Sequence, residues 1–168
     1  MLKFLFVIAP DGYQDIEYND PKTVLEVSGH QVVSASTTKV AYGSLGGKIS
    51  VNLLLKNAKV EDYDGIAFIG GPGSYIYFND PVAQKLAQSF YAANKLTCAI
   101  CAAPSILANA GLLDGKIATC YPGQAENLKA HGAHYTGNPV EQDGILVTAS
   151  GPPAAKAFGE AICTALNP

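Results

Sequence analysis

Short apolar runs alternate with segments of helical periodicity along the chain. Runs rich in strand-forming residues occur at residues 3–9, 31–36, 66–69, 96–100, 116–120 and 145–148. The first and fourth runs are almost continuously apolar, which is typical of strands that are buried on both faces. The alternation of such runs with helical segments predicts a parallel sheet that is covered by helices on both faces.

Cap and turn signals set the boundaries of the predicted helices. Asp15 is the predicted N-cap of the first helix, which turns Val27 towards the core. Asp80 precedes a proline and starts a second helix, with Val82 on its inner face. A last helix is predicted over residues 154–166. These helices supply the crossover connections that parallel strands require.

Two segments break the parallel pattern. Residues 39–52 alternate weakly around three glycines, which predicts a small antiparallel excursion. Further along, Asp143 and Gly144 separate residues 140–142 from residues 145–148, which is a hairpin signal. The sequence therefore predicts a mostly parallel α/β sheet with a small antiparallel hairpin.

Composition and charge exclude several classes of function. The 168 residues predict one domain, spanning residues 1–168, with a substantial core. The net charge of −3 gives no excess of positive charge that would bind nucleic acid or an anionic membrane surface. All eleven basic residues are lysines, so the chain has no guanidinium clamp for phosphate or carboxylate. No apolar run reaches the length of a membrane span, and we expect a cytoplasmic protein.

Cys101 is the first candidate for chemistry, because it lies between a predicted strand and a predicted helix. The strand covers residues 96–100, and the helix starts near Ser105 and closes at Gly111. A thiol at such a turn points out of the carboxyl edge of the sheet, where the helix N-terminus lowers its pKa. The alternative is a cysteine that fills a core position, and the spacing alone leaves both interpretations open.

Two further candidates belong to the same predicted edge of the sheet. Glu17 follows the first strand, and next to a thiolate it would stay protonated and donate to the sulfur. Gly70 and Gly71 open a glycine-rich loop after the strand at residues 66–69, and its backbone N–H groups suit an oxyanion site. The alternatives are a surface charge for Glu17 and a simple tight turn for the glycines.

The remaining cysteines and histidines predict no metal site. Cys98 and Cys101 have a C-x-x-C spacing, but no second ligand pair accompanies them. His131 and His134 precede a strand, and either could reach the candidate site. Their spacing to Cys120 matches no known ligand pattern. We therefore expect reduced cysteines and no bound metal.

Several motifs together resemble the ThiJ/PfpI superfamily over nearly the whole chain. They are Glu17 with Pro21, the pair Gly70-Gly71, the segment Ala99-Ile100-Cys101-Ala102-Ala103-Pro104, residues 132–136, residues 140–146 and the pair Gly151-Pro152. The resemblance implies a flavodoxin-like three-layer sandwich, similar to the class I glutamine amidotransferase domain. It also implies a homodimer or a higher homo-oligomer.

The same resemblance implies roles for individual residues. Cys101 would be an oxidation-prone nucleophile, Glu17 its protonated partner and His134 a nearby proton relay. The oxyanion and substrate-binding positions that the resemblance implies are Gly70, Gly71, Ala102 and Pro152. Among these, the backbone amides of Gly71 and Ala102 would hold the oxyanion. No metal, glutathione or nucleotide cofactor is implied.

Departures from the family's pattern bear on the reaction. Ala102 stands where the protease-like branch has a histidine, and residues 149–152 lack the His-x-Glu of the amidotransferases. No arginine is present to stabilise an oxidised sulfur. The sequence ends at Pro168 without the additional C-terminal helix of one branch, which puts that branch's dimer in question.

Three functions are compatible with these residues. The first is a cofactor-independent glyoxalase or deglycase-like enzyme, in which Cys101 adds to a small 2-oxoaldehyde. The second is a redox sensor or stress-protective, chaperone-like protein, in which Cys101 oxidises without turnover. The third is a cysteine amidase or peptidase, which is weakened by Ala102 and needs His131 or His134 within hydrogen-bonding reach of Cys101.

Overall fold

A seven-stranded sheet forms the centre of the computed structural model, which describes residues 1–166. Its strands and those of two smaller sheets are numbered in chain order. They are β1 (Lys3–Val7), β2 (Asp11–Tyr13), β3 (Gln31–Ser36), β4 (Val40–Gly43), β5 (Lys48–Ser50), β6 (Leu53–Leu54), β7 (Gly65–Phe68), β8 (Leu96–Ile100), β9 (Ile117–Ala118), β10 (His134–Tyr135), β11 (Val140–Asp143) and β12 (Leu146–Ala149). The order across the main sheet is β11-β12-β8-β7-β1-β3-β6.

Neighbouring strands of the main sheet run parallel, except that β11 is antiparallel to β12. The central strands β7 and β8 are buried at every position, as expected for strands with helices on both faces. β1 has β3 on one side and β7 on the other, so the strand order reverses at β1. Ligands of open α/β sheets bind at such a reversal, outside the carboxyl ends of the strands.

Five α-helices cover the sheet within residues 1–166. They are α1 (Asp15–Val27), α2 (Pro81–Ala92), α3 (Pro104–Asn109), α4 (Ala125–Ala130) and α5 (Ala155–Leu166). α1 packs along α5, while α2 packs against α3 and against β7 and β8. Right-handed crossovers on the two sides of β1 place these two helix pairs on opposite faces. The predicted fold class, a flavodoxin-like α/β sandwich with a mostly parallel sheet, is confirmed.

The contact between α1 and α5 buries the proline inside α1. Pro21 faces Gly159 of α5, where a Cβ atom would lie 2.8 Å from the Pro21 Cα atom. Glycine at position 159 therefore lets the two helix backbones approach closely. A larger residue there would push α5 away from α1.

The start of α1 differs from the prediction. The N-cap residue is Gln14, whose side chain accepts a hydrogen bond from the N–H group of Glu17 at 3.0 Å. Asp15 is the first helical residue, and its carboxylate accepts hydrogen bonds from Leu45 N–H at 2.9 Å and Gly47 N–H at 2.7 Å. Asp15 thus fixes the loop between β4 and β5 instead of capping the helix.

Two valines that were predicted to face the core are exposed. Val27 is 83% exposed, because it lies two residues after the buried Leu25 and therefore on the other side of the helix. Val82 is 46% exposed in the first turn of α2. The core face of α2 is formed by Ala83, Leu86, Ala87 and Phe90.

The antiparallel segments lie where the sequence predicts them. β4 and β5 pair antiparallel within the segment 39–52, and β2 joins them as a parallel third strand. β11 and β12 form the predicted hairpin, in which Gly144 adopts a φ of +62°. β9 covers only two residues of the predicted strand at 116–120, and it pairs with β10.

Every helix within residues 1–166 falls short of the length and apolar character that spanning a bilayer requires. α5 ends at Leu166. The predicted domain boundary at residue 168 and the chain end at Pro168 lie outside the described residues.

Candidate active site

Cys101 lies at the carboxyl end of β8, on the turn that leads into α3. Its φ angle is +65°, a left-handed conformation that is uncommon for residues other than glycine. Two hydrogen bonds hold this backbone in place. Cys101 N–H donates to Ala149 O at 2.9 Å, and Tyr121 N–H donates to Cys101 O at 2.7 Å. Strained backbone that is fixed in this way is typical of functional turns.

Glu17 lies beside Cys101 in the first turn of α1 and is completely buried. Gly70 N–H donates to Glu17 Oε1 at 3.0 Å, whereas Oε2 is buried without a conventional hydrogen-bond partner. Gly70 also closes the space between the two side chains. A Cβ atom at Gly70 would lie 2.6 Å from Glu17 Oε1 and 2.8 Å from the Cys101 Cβ atom. The alternative interpretation of Glu17 as a surface charge is therefore wrong.

Burial dominates the ionisation of this pair. Burial raises the pKa of Glu17 to about 7, although the hydrogen bonds with Cys101 and Gly70 act in the opposite direction. Burial, followed by the charge of Glu17, raises the pKa of Cys101 to about 12, and the Ala102 N–H group only partly offsets this. The N–H group at the turn into α3 lowers the thiol pKa, as predicted, but burial and Glu17 outweigh it, so the prediction of a lowered pKa is wrong in its net direction. The resting thiol is neutral and needs a base.

The raised pKa of Glu17 predicts a loss of stability as the pH increases. In the unfolded chain this carboxyl ionises near its ordinary pKa of 4.5, whereas in the folded protein it keeps its proton until about pH 7. Between these values the folded state binds the additional proton, so the free energy of unfolding falls by about 3 kcal/mol. We expect Glu17→Gln to remove this loss.

Urea unfolding at two pH values measures this effect. The variant should be more stable than wild type at pH 8, and this gain should disappear at pH 4.5. The contributions of the other titrating groups to the free energy of unfolding are the same in both proteins, so they cancel in the difference. A gain of the same size at both pH values would contradict the raised pKa of Glu17.

Two backbone N–H groups belong to residues that line the pocket together with Cys101. Those of Gly71 and Ala102 donate to no carbonyl oxygen within residues 1–166. Gly71 has a φ of +112°, and a Cβ atom there would collide with Gly12 O and with Gln14 N at 2.5 Å. Only glycine fits this position. The Ala102 N–H group interacts with the Cys101 sulfur, and Gly71 and Ala102 both line the pocket beside this nucleophile, where an oxyanion site requires donors.

A pocket of about 580 Å³ opens at this edge of the sheet. Its mostly apolar wall is lined by Gln14, Glu17, Gly71, Pro72, Tyr75, Cys101, Ala102, Tyr121 and Pro152. Five of the predicted site residues are thus brought together: Glu17, Gly71, Cys101, Ala102 and Pro152. A sixth, Gly70, lies behind the carboxyl group of Glu17.

Two tyrosines of the pocket were not among the predicted site residues. Tyr75 and Tyr121 are each 46% exposed and form part of its wall. Both lie shortly after a strand, Tyr75 after β7 and Tyr121 after β9, and this position is visible in the sequence. Their direction is set by the short 3₁₀ turns at Pro72–Tyr77 and Pro122–Gln124, which carry no comparable signal.

The structure does not bring His134 to the pocket. Its exposed side chain belongs to β10, which pairs with Ile117 of β9. Ile117 N–H donates to the side chain of Asp143, which pairs with the first residue of β12. Cys101 N–H, in contrast, donates to the carbonyl oxygen of Ala149, the last residue of β12. His134 therefore lies towards the opposite edge of the sheet, and this geometry gives no support to its role as a relay.

The other residues that were considered as ligands have surroundings that do not suit a metal site. Cys98 and Cys120 are fully buried, and burial raises the pKa of both thiols. The exposed ring of His131 contacts the Asn127 carbonyl oxygen through Nδ1 at 2.8 Å. Within residues 1–166, no group of three or more His, Cys, Asp or Glu side chains is arranged to hold a metal ion.

The parallel sheet, the cysteine elbow at the carboxyl end of β8 and the buried glutamate beside it define the class of this molecule. It is a flavodoxin-like α/β protein with a cysteine–glutamate pair at the carboxyl edge of the sheet. The chain belongs to the DJ-1/PfpI family, whose sequence pattern matches residues 2–165. The resemblance inferred from the motifs is thereby confirmed.

Relatives of this chain carry names from different enzyme classes. An uncharacterized protein of Methanocaldococcus jannaschii is 40% identical, over 98% of this chain and 82% of its own length. A Bacillus subtilis protein that is provisionally named as the cysteine protease YraA is 29% identical, over 94% of this chain and 95% of its own. A deglycase of Pyrococcus abyssi is 27% identical, over 88% of this chain and 90% of its own length. The family thus includes proteins named as deglycases and as cysteine proteases.

The fold is closely shared with a solved structure. The ThiJ/PfpI domain protein of Brachyspira murdochii matches with a TM-score of 0.96 at 30% sequence identity, covering 98% of this chain and 96% of that one. The likeness extends over the sheet and both helical layers. It supports the family assignment.

Proposed function

We propose that this protein is a cofactor-independent enzyme of the glyoxalase or deglycase type, which acts in the cytoplasm on small 2-oxoaldehydes. The observation that carries the proposal is the buried Glu17 carboxyl group, which accepts a hydrogen bond from Gly70 N–H and interacts with the Cys101 thiol beside it. Membership of a family with a relative named as a deglycase supports the same class of reaction.

Glu17 activates the thiol in the first step. With a pKa of about 7, a large fraction of Glu17 is ionised at neutral pH and can accept the proton of Cys101. As this proton leaves, the sulfur forms a bond to the aldehyde carbon, and the carbonyl electron pair moves onto the aldehyde oxygen. The N–H groups of Gly71 and Ala102 stabilise this oxyanion. Return of the proton from Glu17 gives a neutral hemithioacetal.

Glu17 then moves a proton between the two carbon atoms of the substrate. Its carboxylate removes the proton from C1, and the C2 carbonyl oxygen takes up a proton, which gives an enediol. Glu17 then returns its proton to C2, while the C1 hydroxyl group loses its proton and becomes the thioester carbonyl. For methylglyoxal the product is a lactate thioester on Cys101. Water attacks this thioester, which releases lactate and restores the thiol. The net reaction adds one water molecule to the substrate and requires no external oxidant or reductant.

Two alternative functions account for the site less well. A redox sensor needs groups that stabilise an oxidised, anionic sulfur, and no Lys, Arg or His is among the pocket-lining residues of the described chain. An amidase or peptidase of the Cys-His type needs an imidazole base, and no histidine is among the pocket-lining residues of the described chain. The buried carboxyl beside the thiol is better suited to moving protons on a bound aldehyde.

The test is lactate formation from methylglyoxal by freshly reduced protein, without glutathione or added metal. We expect sustained turnover that is proportional to protein concentration. Absence of turnover would contradict the proposal. Selective oxidation of Cys101, measured by mass spectrometry in such an inactive sample, would favour the redox sensor instead.

A further inference from the structure

A chain of side-chain hydrogen bonds leads from the backbone of Phe78 to the pocket. The Phe78 carbonyl oxygen can only accept, and it does so from Asn109 Nδ2 at 2.9 Å. The carboxamide oxygen of Asn109 therefore faces Asn127, whose Nδ2 donates to it at 3.0 Å. This contact fixes the orientation of the Asn127 carboxamide.

A buried serine accepts the next hydrogen bond and donates the one after it, so each bond of the chain has a fixed donor. Asn127 Nδ2 also donates to Ser105 Oγ at 3.0 Å, so the serine hydroxyl must use its own hydrogen elsewhere. Ser105, which is completely buried, donates it to Gln124 Oε1 at 2.7 Å. The amide nitrogen of Gln124 then faces Tyr75, and Nε2 donates to the tyrosine hydroxyl oxygen at 3.4 Å.

This order leaves the Tyr75 hydroxyl hydrogen without a partner inside the chain of bonds. The Tyr75 oxygen already accepts from Gln124, so its hydrogen is available to an acceptor in the pocket that the ring lines. The ring is held by stacking on Phe78, with a centroid separation of 4.6 Å. Tyr75 is therefore a pre-oriented donor on the pocket wall.

We propose that the Tyr75 hydroxyl binds the second carbonyl oxygen of a 2-oxoaldehyde, and that Gln124 is the positioning residue that directs its hydrogen. This inference rests on the proposed function. The amides of Gly71 and Ala102 account for the aldehyde oxygen, whereas the neighbouring carbonyl oxygen needs a donor of its own. The pocket-lining residues of the described chain include no Lys, Arg or His. Gln14 and Tyr121 also carry side-chain donors, but Tyr75 is the pocket residue whose hydroxyl oxygen accepts from Gln124 and whose hydrogen is thereby directed. The hydroxyl would select substrates with two adjacent carbonyl groups over simple aldehydes.

Reversible capture of aldehydes by Cys101 tests the inference without turnover. In a Glu17→Gln background, the concentration of methylglyoxal that half-protects Cys101 from alkylation is compared with that of propanal, which lacks the second oxygen. Tyr75→Phe should raise this concentration for methylglyoxal about three- to tenfold, the worth of one hydrogen bond, and leave propanal unchanged. Tyr42→Phe removes an exposed hydroxyl outside the pocket and is the matched control.

Gln124→Glu tests the direction of the hydrogen bond. The substitution keeps the shape of the side chain but replaces the amide donor by an acceptor, so that Tyr75 turns its hydrogen away from the pocket. Methylglyoxal capture should weaken as much as in Tyr75→Phe, although the hydroxyl is still present. The double variant should then show no further loss, because both changes remove the same interaction.

The outcomes separate this inference from the proposed function. Equal weakening for methylglyoxal and propanal, or no weakening for either, would overturn the role of Tyr75. So would a complete absence of protection by methylglyoxal. If wild type forms no lactate but the selective effect of Tyr75 on capture is observed, the proposed reaction fails and the role of Tyr75 as a binding residue stands.

Discussion

Glu17→Gln is expected to lower the rate of lactate formation from methylglyoxal by about 10²–10⁴-fold, the range that general acid–base catalysis contributes. The amide can still accept the hydrogen bond from Gly70 N–H that Glu17 Oε1 receives at 3.0 Å. It can neither take the thiol proton nor move a proton between the substrate carbons. Single-turnover and steady-state lactate assays at neutral pH measure the loss.

The same variant should make Cys101 more acidic, which separates proton transfer from simple misplacement of the thiol. The charge of Glu17 is the second largest cause of the raised pKa of Cys101, after burial. Its removal should lower that pKa, and alkylation of Cys101 should become faster while turnover falls. A variant that loses turnover and thiol reactivity together would contradict the assigned role. Cys101→Ser is the matched control, with neither turnover nor alkylation at this position.

Gly70→Ala is expected to reduce turnover by at least about 100-fold, the cost of misplacing reacting groups by roughly an ångström. The new Cβ atom would lie within 2.8 Å of Glu17 Oε1, the Cys101 Cβ atom and Ile100 O. The carboxyl group and the thiol must then move apart. Overpacking of this kind also lowers the free energy of unfolding by about 1–3 kcal/mol. Measurements of kcat/KM and of the urea midpoint test the two effects.

Gly151→Ala provides the comparison for this substitution. Gly151 precedes Pro152 in another loop at the carboxyl edge, and the nearest atom to a Cβ there is Pro153 Cδ at 3.9 Å. Its φ of 162° is extended backbone that any residue adopts. Turnover and stability should therefore stay at the wild-type level. An equal loss of turnover in both variants would show that close packing around Glu17 is not the reason for the effect at Gly70.

Local patterns in the sequence were sufficient for the fold and for the thiol–carboxyl pair. The apolar run of β8 followed by the start of α3 predicted the turn at Cys101, and the run of β1 placed Glu17 at the same edge. Both inferences depend on periodicity and on the rule that parallel strands end together. The homo-oligomer that the resemblance implies stays a prediction.

The errors arose where the outcome depends on packing between distant segments. The thiol pKa was misjudged because burial by several loops outweighs the helix N-terminus, and burial has no local signature. His134 was expected near Cys101, yet the pairing of β9 with β10 carries it towards the other edge of the sheet. Tyr75 was missed because the direction of its side chain depends on Gln124, 49 residues away.

The distribution of the pocket along the chain has a consequence for refolding experiments. Its walls come from five separate stretches that extend from Gln14 to Pro152. Contacts between positions so far apart in sequence form only when the central strands have assembled in their final order. Recovered activity should therefore lag behind recovered helical signal after dilution from denaturant. A catalytic assay would count native molecules alone, while circular dichroism would also register incomplete ones.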